Sequence, residues 1–126
     1  ELEKFALPLS GRHAVYSVST AGENSVFVGA SSGLYKFDLE NKNLVKLGEE
    51  YGFSEVSDLV NHNGKLWFLA EGKLAVYNIE SRVISIVKGD DSLGNDSYLV
   101  RHLSKDNEGL IWLSVLDKGV YFLAFF

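Results

Sequence analysis

The sequence predicts an all-β chain that forms a partial β-propeller of about three four-stranded antiparallel blades, with the last blade incomplete. A similar segment occurs three times, with Phe27, Trp67 and Trp112 at the same place in each and intervals of 40 and 45 residues between them. Short apolar runs alternate with glycine-containing turns, and no segment has helical periodicity. Tandem repeats of this length built from short strands are typical of propeller blades.

Three predicted strands recur in every repeat, and a fourth recurs in the first two repeats. Strand one covers 15–19, 56–60 and 98–103; strand two 25–30, 65–70 and 110–115; strand three 34–37, 74–77 and 120–123; strand four 44–47 and 83–87. Strand two is apolar at nearly every position, which indicates burial of both its faces between neighbouring blades. Asp38 and Asn78 begin the turns between strands three and four, where short side chains bond the backbone two residues on.

The strands and turns also predict the limits of the blades. A single propeller segment, 1–126, comprises blades at 13–48 and 55–88 and an incomplete blade at 97–126. Residues 1–10 are interpreted as the fourth strand of a preceding or partner blade, because Lys4 and Phe5 match Lys46 and Leu47 at the end of the first blade.

The composition is that of a folded domain with no nucleic-acid partner and no direct membrane contact. Of the 126 residues, 46% are hydrophobic and 13% are aromatic, and aromatic side chains favour sheets. The net charge of −5 argues against nucleic acid, because phosphate backbones attract clustered Lys and Arg. No apolar run reaches the ~18 residues that span a bilayer. Without Cys there is no disulfide or thiolate chemistry, and a start at Glu1 leads us to expect a processed chain or a piece of a longer one.

The third repeat contains the most distinctive motif. Residues 106–114 read Asp-Asn-Glu-Gly-Leu-Ile-Trp-Leu-Ser, and residues 118–121 read Lys-Gly-Val-Tyr. This pattern resembles the two-component regulator propeller repeat, in which Asp-x-x-Gly-x-(Ile/Leu)-Trp-(Ile/Val)-Gly-Thr is followed by Gly-x-(Leu/Val)-Tyr. The first repeat is similar with Phe27 in place of Trp, whereas the second departs from the pattern at Leu69, where the family has Gly.

The resemblance implies a ligand-sensing segment from the periplasmic sensor region of a bacterial hybrid two-component regulator. Such proteins carry a histidine kinase and many respond to oligosaccharides, so the segment itself is not expected to be an enzyme. The alternative is part of a propeller enzyme, a glycan hydrolase or lyase whose active site lies in blades outside this chain. Under either hypothesis the motif residues themselves are interpreted as structural: Trp67 and Trp112 pack between blades, and Asp106 caps the turn before strand two.

Six residues are predicted to contact a ligand: Tyr51, Phe53, Arg101, His102, Asp117 and Lys118. The loops that join strand four to strand one, and strand two to strand three, lie at one face of a propeller, and four of the six residues are in such loops. Arg101 and His102 lie on an inner strand beside the presumed central channel. Rings that stack, together with groups that hydrogen-bond hydroxyls, suit an oligosaccharide.

No catalytic residue, metal site or cofactor is predicted. His13, His62 and His102 lack the spacing of metal ligands. The loop at 88–96 carries carboxylates but lacks the alternating frame and final Glu of a calcium loop, so it is interpreted as a solvated turn. A glycosylation sequon at 95–97 is a pattern that frequently arises by chance.

Three blades cannot close a ring, since single-chain propellers have about four to eight. An open arrangement leaves apolar blade faces in water and strand edges unpaired. The expected partners are therefore the remaining blades of a larger propeller, which we favour, or a second copy of the chain, with two three-blade halves forming a six-blade ring. In both cases we expect that the isolated chain is not a stable monomer.

Overall fold

The computed structural model describes residues 2–4, 7, 9, 11–87 and 99–123. In this part of the chain the regular structure is β-strand, apart from a single-turn 3₁₀ helix at Glu49–Tyr51, which confirms the predicted all-β class. The predicted solvated turn at 88–96 and the sequon at 95–97 lie outside the described residues. No helix within the described ranges has the length and apolar character needed to cross a membrane.

The strands form three antiparallel sheets in which consecutive strands are neighbours, as in a partial propeller-like fold. The first sheet contains β1 (Val15–Thr20), β2 (Ser25–Ala30), β3 (Gly33–Asp38) and β4 (Asn43–Leu47); the second contains β5 (Val56–His62), β6 (Lys65–Ala70), β7 (Lys73–Asn78) and β8 (Val83–Ile86); the third contains β9 (Val100–Lys105), β10 (Ile111–Val115) and β11 (Gly119–Phe122). Among the described residues the third sheet has three strands, in agreement with the predicted incomplete blade.

A tight hairpin joins the second and third strands of the second sheet. Ala70 pairs with Lys73, so Glu71 and Gly72 form a two-residue turn. Both turn residues have positive φ, 55° and 81°, which suits the twist of a β-hairpin. A Cβ at Gly72 would lie 2.9 Å from the end of the flexible Leu99 side chain, which can move aside, so the positive φ is the reason that this turn position favours glycine.

Short side chains close the turns at the opposite end of the sheets, as predicted. Asp38 Oδ1 accepts hydrogen bonds from the backbone N–H groups of Glu40 at 2.9 Å and Asn41 at 3.2 Å. Asn78 Oδ1 accepts the N–H groups of the residues two and three positions further on, at 3.1 and 3.0 Å. Each side chain therefore replaces a backbone acceptor in its turn.

Asp106 caps the turn before β10, as the sequence predicts. Its Oδ1 accepts the backbone N–H groups of Glu108 and Leu110 at 2.9 Å each, and its Oδ2 accepts the indole Nε1–H of Trp112 at 2.9 Å. The bond from Trp112, followed by the backbone donors, lowers the pKa of Asp106 below its ordinary value. The carboxylate is thus held in its charged form by the turn that it closes.

Apolar cores lie between the three sheets. The first core joins Phe27 and Leu34 of the first sheet to Phe68 of the second. The second core joins Trp67 of the second sheet to Ile111 of the third. We call the face of each sheet that turns toward the next sheet along the chain its forward face, and the opposite face its backward face. For the third sheet, the forward face is the one opposite the second core.

The middle strand β6 shows why strand two is apolar throughout. Leu66 and Phe68 point backward into the first core, while Trp67 and Leu69 point forward into the second. Side chains of a strand alternate between its faces, so a sheet with a neighbour on each side buries every position of its central strands. All four of these side chains are buried, which confirms the predicted two-sided burial of β6 and the role of Trp67 as a packing anchor.

Polar contacts join the inner strands β1, β5 and β9 of neighbouring sheets. The Ser17 hydroxyl of β1 accepts the Leu59 backbone N–H of β5 at 3.0 Å. In the same way, Asp58 Oδ2 of β5 accepts the Leu103 backbone N–H of β9 at 2.8 Å. The inner strands β1 and β5 thus each present a side-chain acceptor to the backbone of the following sheet.

The N-terminal segment contributes apolar contacts in the part that is described. Residues 2–4, 7 and 9 are not in a strand. Leu7 and Leu9 pack on the backward face of the first sheet, beside Val28 and Phe37. The interpretation of 1–10 as a fourth strand of another blade stays a prediction, as do the blade boundaries at 13–48, 55–88 and 97–126.

Candidate functional site

All three inner strands carry a β-bulge close to their first residue, and in β5 the register shifts between Ser57 and Val60. In β1 the register shifts between Val15 and Ser17, so Tyr16 is the extra residue. In β9 the shift lies between Val100 and His102, so Arg101 is the extra residue. A bulge re-aims the side chain of its extra residue, so both side chains leave the regular alternation at the same end of the inner strands.

These two side chains line a cleft of about 450 Å³ together with the nearby end of the second sheet. We name it the polar cleft, and its lining comprises Tyr16, Glu55, Ser57, Leu69, Glu71, Gly72, Val100 and Arg101. Glu55 immediately precedes β5, and Glu71 lies in the turn between β6 and β7. Backbone bonds hold these segments side by side, because the Glu55 carbonyl accepts the Glu71 N–H at 3.5 Å and the Glu55 N–H donates to the Ser31 carbonyl at 3.2 Å.

The carboxylate of Glu71 is fixed by the loop that leads into β5. Its Oε1 accepts the Ser54 backbone N–H at 3.1 Å and the Ser54 hydroxyl at 2.5 Å. The hydroxyl bond, then the backbone bond, lowers the pKa of Glu71 below its ordinary value. A general acid needs a raised pKa, so Glu71 is suited to accept hydrogen bonds rather than to deliver a proton.

Tyr16 contributes a neutral phenol with an accessible ring. Its hydrogen bond to the Glu55 carboxylate raises the pKa of Tyr16, with smaller contributions from desolvation and the negative charge of Glu55. The side chain remains about half exposed, at 48%. The ring therefore offers a surface on which a flat or apolar ligand face can stack.

Arg101 brings a positive charge to the same cleft. Its side chain is exposed and forms no hydrogen bond or ion pair with any other residue in the described ranges. The floor beneath it is apolar, formed by the buried Leu69 and Val100. A site with a guanidinium donor, carboxylate acceptors and an apolar floor is suited to a small ligand rich in hydroxyl groups.

His102, predicted beside Arg101, belongs to a different arrangement. Its Nδ1 lies 2.8 Å from Asp58 Oδ2, the oxygen that also accepts the Leu103 N–H. The His102 side chain is 75% exposed and that of Asp58 19% exposed. His102 therefore supports the contact between the second and third sheets, and it lines a groove on the forward face of the third sheet rather than the polar cleft.

Tyr51 and Phe53 lie together, away from the polar cleft. Their rings stack with centroids 5.1 Å apart, and the Tyr51 hydroxyl donates to the Ile84 carbonyl at 2.9 Å. Phe53 is buried in the first core, with its ring edge-on to Phe68 at 5.6 Å. The ring of Phe53 thus faces the protein interior, and neither residue lines the polar cleft. Ligand contact by this pair stays a prediction.

Asp117 and Lys118 lie in the turn between β10 and β11. Asp117 has a φ of 62°, and the Lys118 N–H closes the turn on the Val115 carbonyl at 3.0 Å. The side chains of both residues are exposed, but neither lines the polar cleft. Of the six predicted ligand contacts, Arg101 alone lies in the cleft, and contacts from this turn stay predictions.

Sequence reasoning missed four polar residues of the cleft: Tyr16, Glu55, Ser57 and Glu71. A partial signal was present, because Tyr16 holds the position of Arg101 when the repeats are aligned on Val15 and Val100. The bulges that redirect these two side chains have no recognisable local sequence signature. Glu55 and Glu71 lie in two different loops of the second sheet. Both loops are distant in sequence from the third sheet, which supplies Arg101.

No protein-family model and no curated protein sequence matches this chain. Its fold is similar to two crystal structures of the extracellular domain of BT4673 from B. thetaiotaomicron, each with a TM-score of 0.65, at 19% and 20% identity. One of these names BT4673 as a proposed one-component system and the other as a proposed hybrid two-component system. The similarity covers 88% of this chain but only 15% of each BT4673 chain.

These neighbours agree with the resemblance seen in the third repeat, since both concern the extracellular part of a signalling protein. At this level of identity the similarity establishes the fold alone, because one fold serves many functions. The chain is thus an all-β, partial propeller-like structure of three antiparallel sheets that spans a small part of the length of its neighbours.

Proposed function

We propose that this chain is a non-catalytic, ligand-sensing segment of an extracytoplasmic signalling protein and that the polar cleft binds the ligand. The observation that carries the proposal is the convergence of Tyr16, Glu55, Glu71 and Arg101 on one cleft of about 450 Å³. Its acceptors, its cationic donor and its accessible ring match the hydroxyls and apolar ring faces of an oligosaccharide. The signalling role and the histidine kinase parent rest on the similarity to BT4673 and on the motif of the third repeat.

Binding is favoured over catalysis by the state of the carboxylates. Glu71 is held by Ser54 and has a lowered pKa, and Glu55 is bonded to the Tyr16 phenol. A glycosidase needs one carboxyl with a raised pKa to protonate the leaving group. The alternative of a propeller enzyme therefore draws no support from this cleft.

Isothermal titration calorimetry of the protein with a panel of neutral oligosaccharides tests the proposal. Arg101→Gln removes the cationic donor and is expected to weaken binding about tenfold or more, which corresponds to about 1.4 kcal/mol. Arg82→Gln is the matched control, because it removes the same charge from an exposed turn between β7 and β8. Arg82→Gln is expected to bind like the unmodified protein.

Two outcomes would contradict the proposal. Absence of binding heat with every glycan removes the oligosaccharide ligand. Equal weakening by Arg101→Gln and Arg82→Gln assigns the effect to net charge instead of to the cleft.

A further inference from the structure

The three inner strands place equivalent residues around the polar cleft. Each inner strand begins with a valine, and the residue that follows this valine is Tyr16 in β1, Ser57 in β5 and Arg101 in β9. All three of these residues line the cleft. One position of the repeat therefore supplies a cleft residue from every sheet, in addition to the two glutamates that the second sheet contributes.

The same backbone bond fixes this position in each sheet. The carbonyl of the residue before each valine accepts the N–H of the first residue after the second strand: Ala14 from Ser31 at 2.9 Å, Glu55 from Glu71 at 3.5 Å and Leu99 from Leu116 at 2.9 Å. The second sheet packs against the first through one core and against the third through the other. Ser57 therefore lies in the middle of the cleft, between Tyr16 and Arg101.

Ser57 differs from its two counterparts in size. Tyr16 and Arg101 carry long side chains, whereas Ser57 carries a single hydroxyl group. Ser57 is paired directly with Leu69, so its side chain lies on the face of the second sheet that turns toward the third. Its hydroxyl forms no hydrogen bond with another residue of the described ranges. The middle of the cleft is thus open, and it carries a polar group that a ligand can use.

We propose that Ser57 is a specificity-determining residue of the polar cleft, and that its small side chain admits a ligand of at least two sugar units that contacts Tyr16 and Arg101 at the same time. The inference rests on the proposed function, because it concerns the ligand of the same cleft. One sugar unit stacks on the Tyr16 ring, and hydroxyl oxygens of the next unit accept hydrogen bonds from the Arg101 guanidinium. A large side chain at position 57 would separate these two contacts.

Contact at both ends of the cleft makes affinity depend on the length of the ligand. A monosaccharide reaches one end at a time, whereas a disaccharide joins both contacts in one molecule. The cleft volume of about 450 Å³ lies within the range of pockets that enclose small ligands, about 300–1,000 Å³. The disaccharide is therefore expected to bind at least about tenfold more tightly than its monosaccharide unit.

Isothermal titration calorimetry with the mono-, di- and trisaccharide forms of the neutral glycan that binds most tightly tests the inference. Ser57→Leu fills the middle of the cleft, so the monosaccharide and the disaccharide are expected to bind within about twofold of each other. Ser57→Ala keeps the cleft open and is expected to retain the advantage of the disaccharide, with a loss of less than about tenfold for the missing hydroxyl.

Ser85→Leu is the matched control, because Ser85 is exposed on the outer strand β8 of the second sheet. It is expected to bind all three saccharides like the unmodified protein. Tyr16→Ala and Arg101→Gln each remove one end of the site, so each is expected to reduce the affinity for the disaccharide toward that for the monosaccharide. Far-UV circular dichroism checks that every variant keeps its strands.

Two outcomes would overturn the inference while the proposed function stands. The first is a disaccharide that binds the unmodified protein no more tightly than the monosaccharide. The second is a Ser57→Leu chain that keeps the tenfold advantage of the disaccharide, or that loses affinity equally for both saccharides. Absence of binding heat with every glycan would instead remove the proposed function and this inference together.

Discussion

Trp67 and Trp112 hold the same position in consecutive repeats, yet they have different surroundings. Trp67 is 9% exposed in the core between the second and third sheets, whereas Trp112 is 37% exposed on the forward face of the third sheet. Trp112 instead bonds the Asp106 carboxylate within its own sheet. The comparison teaches that in this fold the contribution of a residue depends on the neighbouring sheet more than on its own strand.

Gly29 and Ser114 extend the comparison to small residues. At Gly29 the backbone of Val56 is so close that no side chain fits, whereas Ser114 borders an open groove. The first position is constrained by a neighbour that is present.

The largest expected effect comes from truncating the two tryptophans. Trp67→Ala leaves a cavity between two sheets and is expected to lower the free energy of unfolding by about 3–5 kcal/mol. Trp112→Ala is expected to lower it by only about 1 kcal/mol, because the side chain is partly exposed. Urea titration of the unmodified chain and of each variant measures both effects. Similar losses for the two variants would contradict the comparison.

A smaller effect is expected from adding one methyl group at the other pair of positions. Gly29→Ala places its Cβ against the Val56 carbonyl and is expected to destabilise the chain by about 1–3 kcal/mol through overpacking. Ser114→Ala, at the same repeat position, is the control and is expected to change stability by less than about 0.5 kcal/mol. Thermal unfolding of both variants provides the measurement, and an unaffected Gly29→Ala chain would refute the close approach of the sheets.

The smallest effect concerns pH and distinguishes the tryptophans by their partners. The pKa of Asp106 is lowered from 3.8, chiefly by the Trp112 indole, so its contribution to stability is complete above pH 3.8 and is lost as the pH falls through the lowered value. The NMR signal of the Trp112 indole N–H is therefore expected to shift only in acid below pH 3.8. Asp106→Asn should remove this transition, and a Trp112 signal that still titrates in that variant would assign the shift to another group.

The turns could be predicted from the sequence because their interactions are local. Asp38, Asn78 and Asp106 bond backbone groups within four residues of themselves, so short polar side chains next to turn residues are sufficient evidence. The burial of both faces of β6 could also be predicted from the sequence, since a continuous apolar run needs a neighbour on each face. The strands follow the prediction to within two residues wherever both ends are described.

The candidate site could be predicted only in part. Arg101 was recognised because it is a charged residue on an inner strand, but Tyr16, Glu55 and Glu71 were not. Their convergence depends on a bulge and on loops from different sheets. The sequence also does not show whether an aromatic residue in a loop faces solvent or the core. Phe53 was predicted to contact a ligand, but it lies in the first core.

The sequence by itself determined the repeat, the strands, the turns and the apolar faces, because each depends on residues that are close along the chain. The tertiary structure alone decided which faces are covered and which side chains share the polar cleft. Those properties depend on how neighbouring sheets approach, and backbone bonds such as that from Glu55 to Ser31 connect segments more than twenty residues apart. For the same reason, identical repeat positions became a buried anchor at Trp67 and a partly exposed side chain at Trp112.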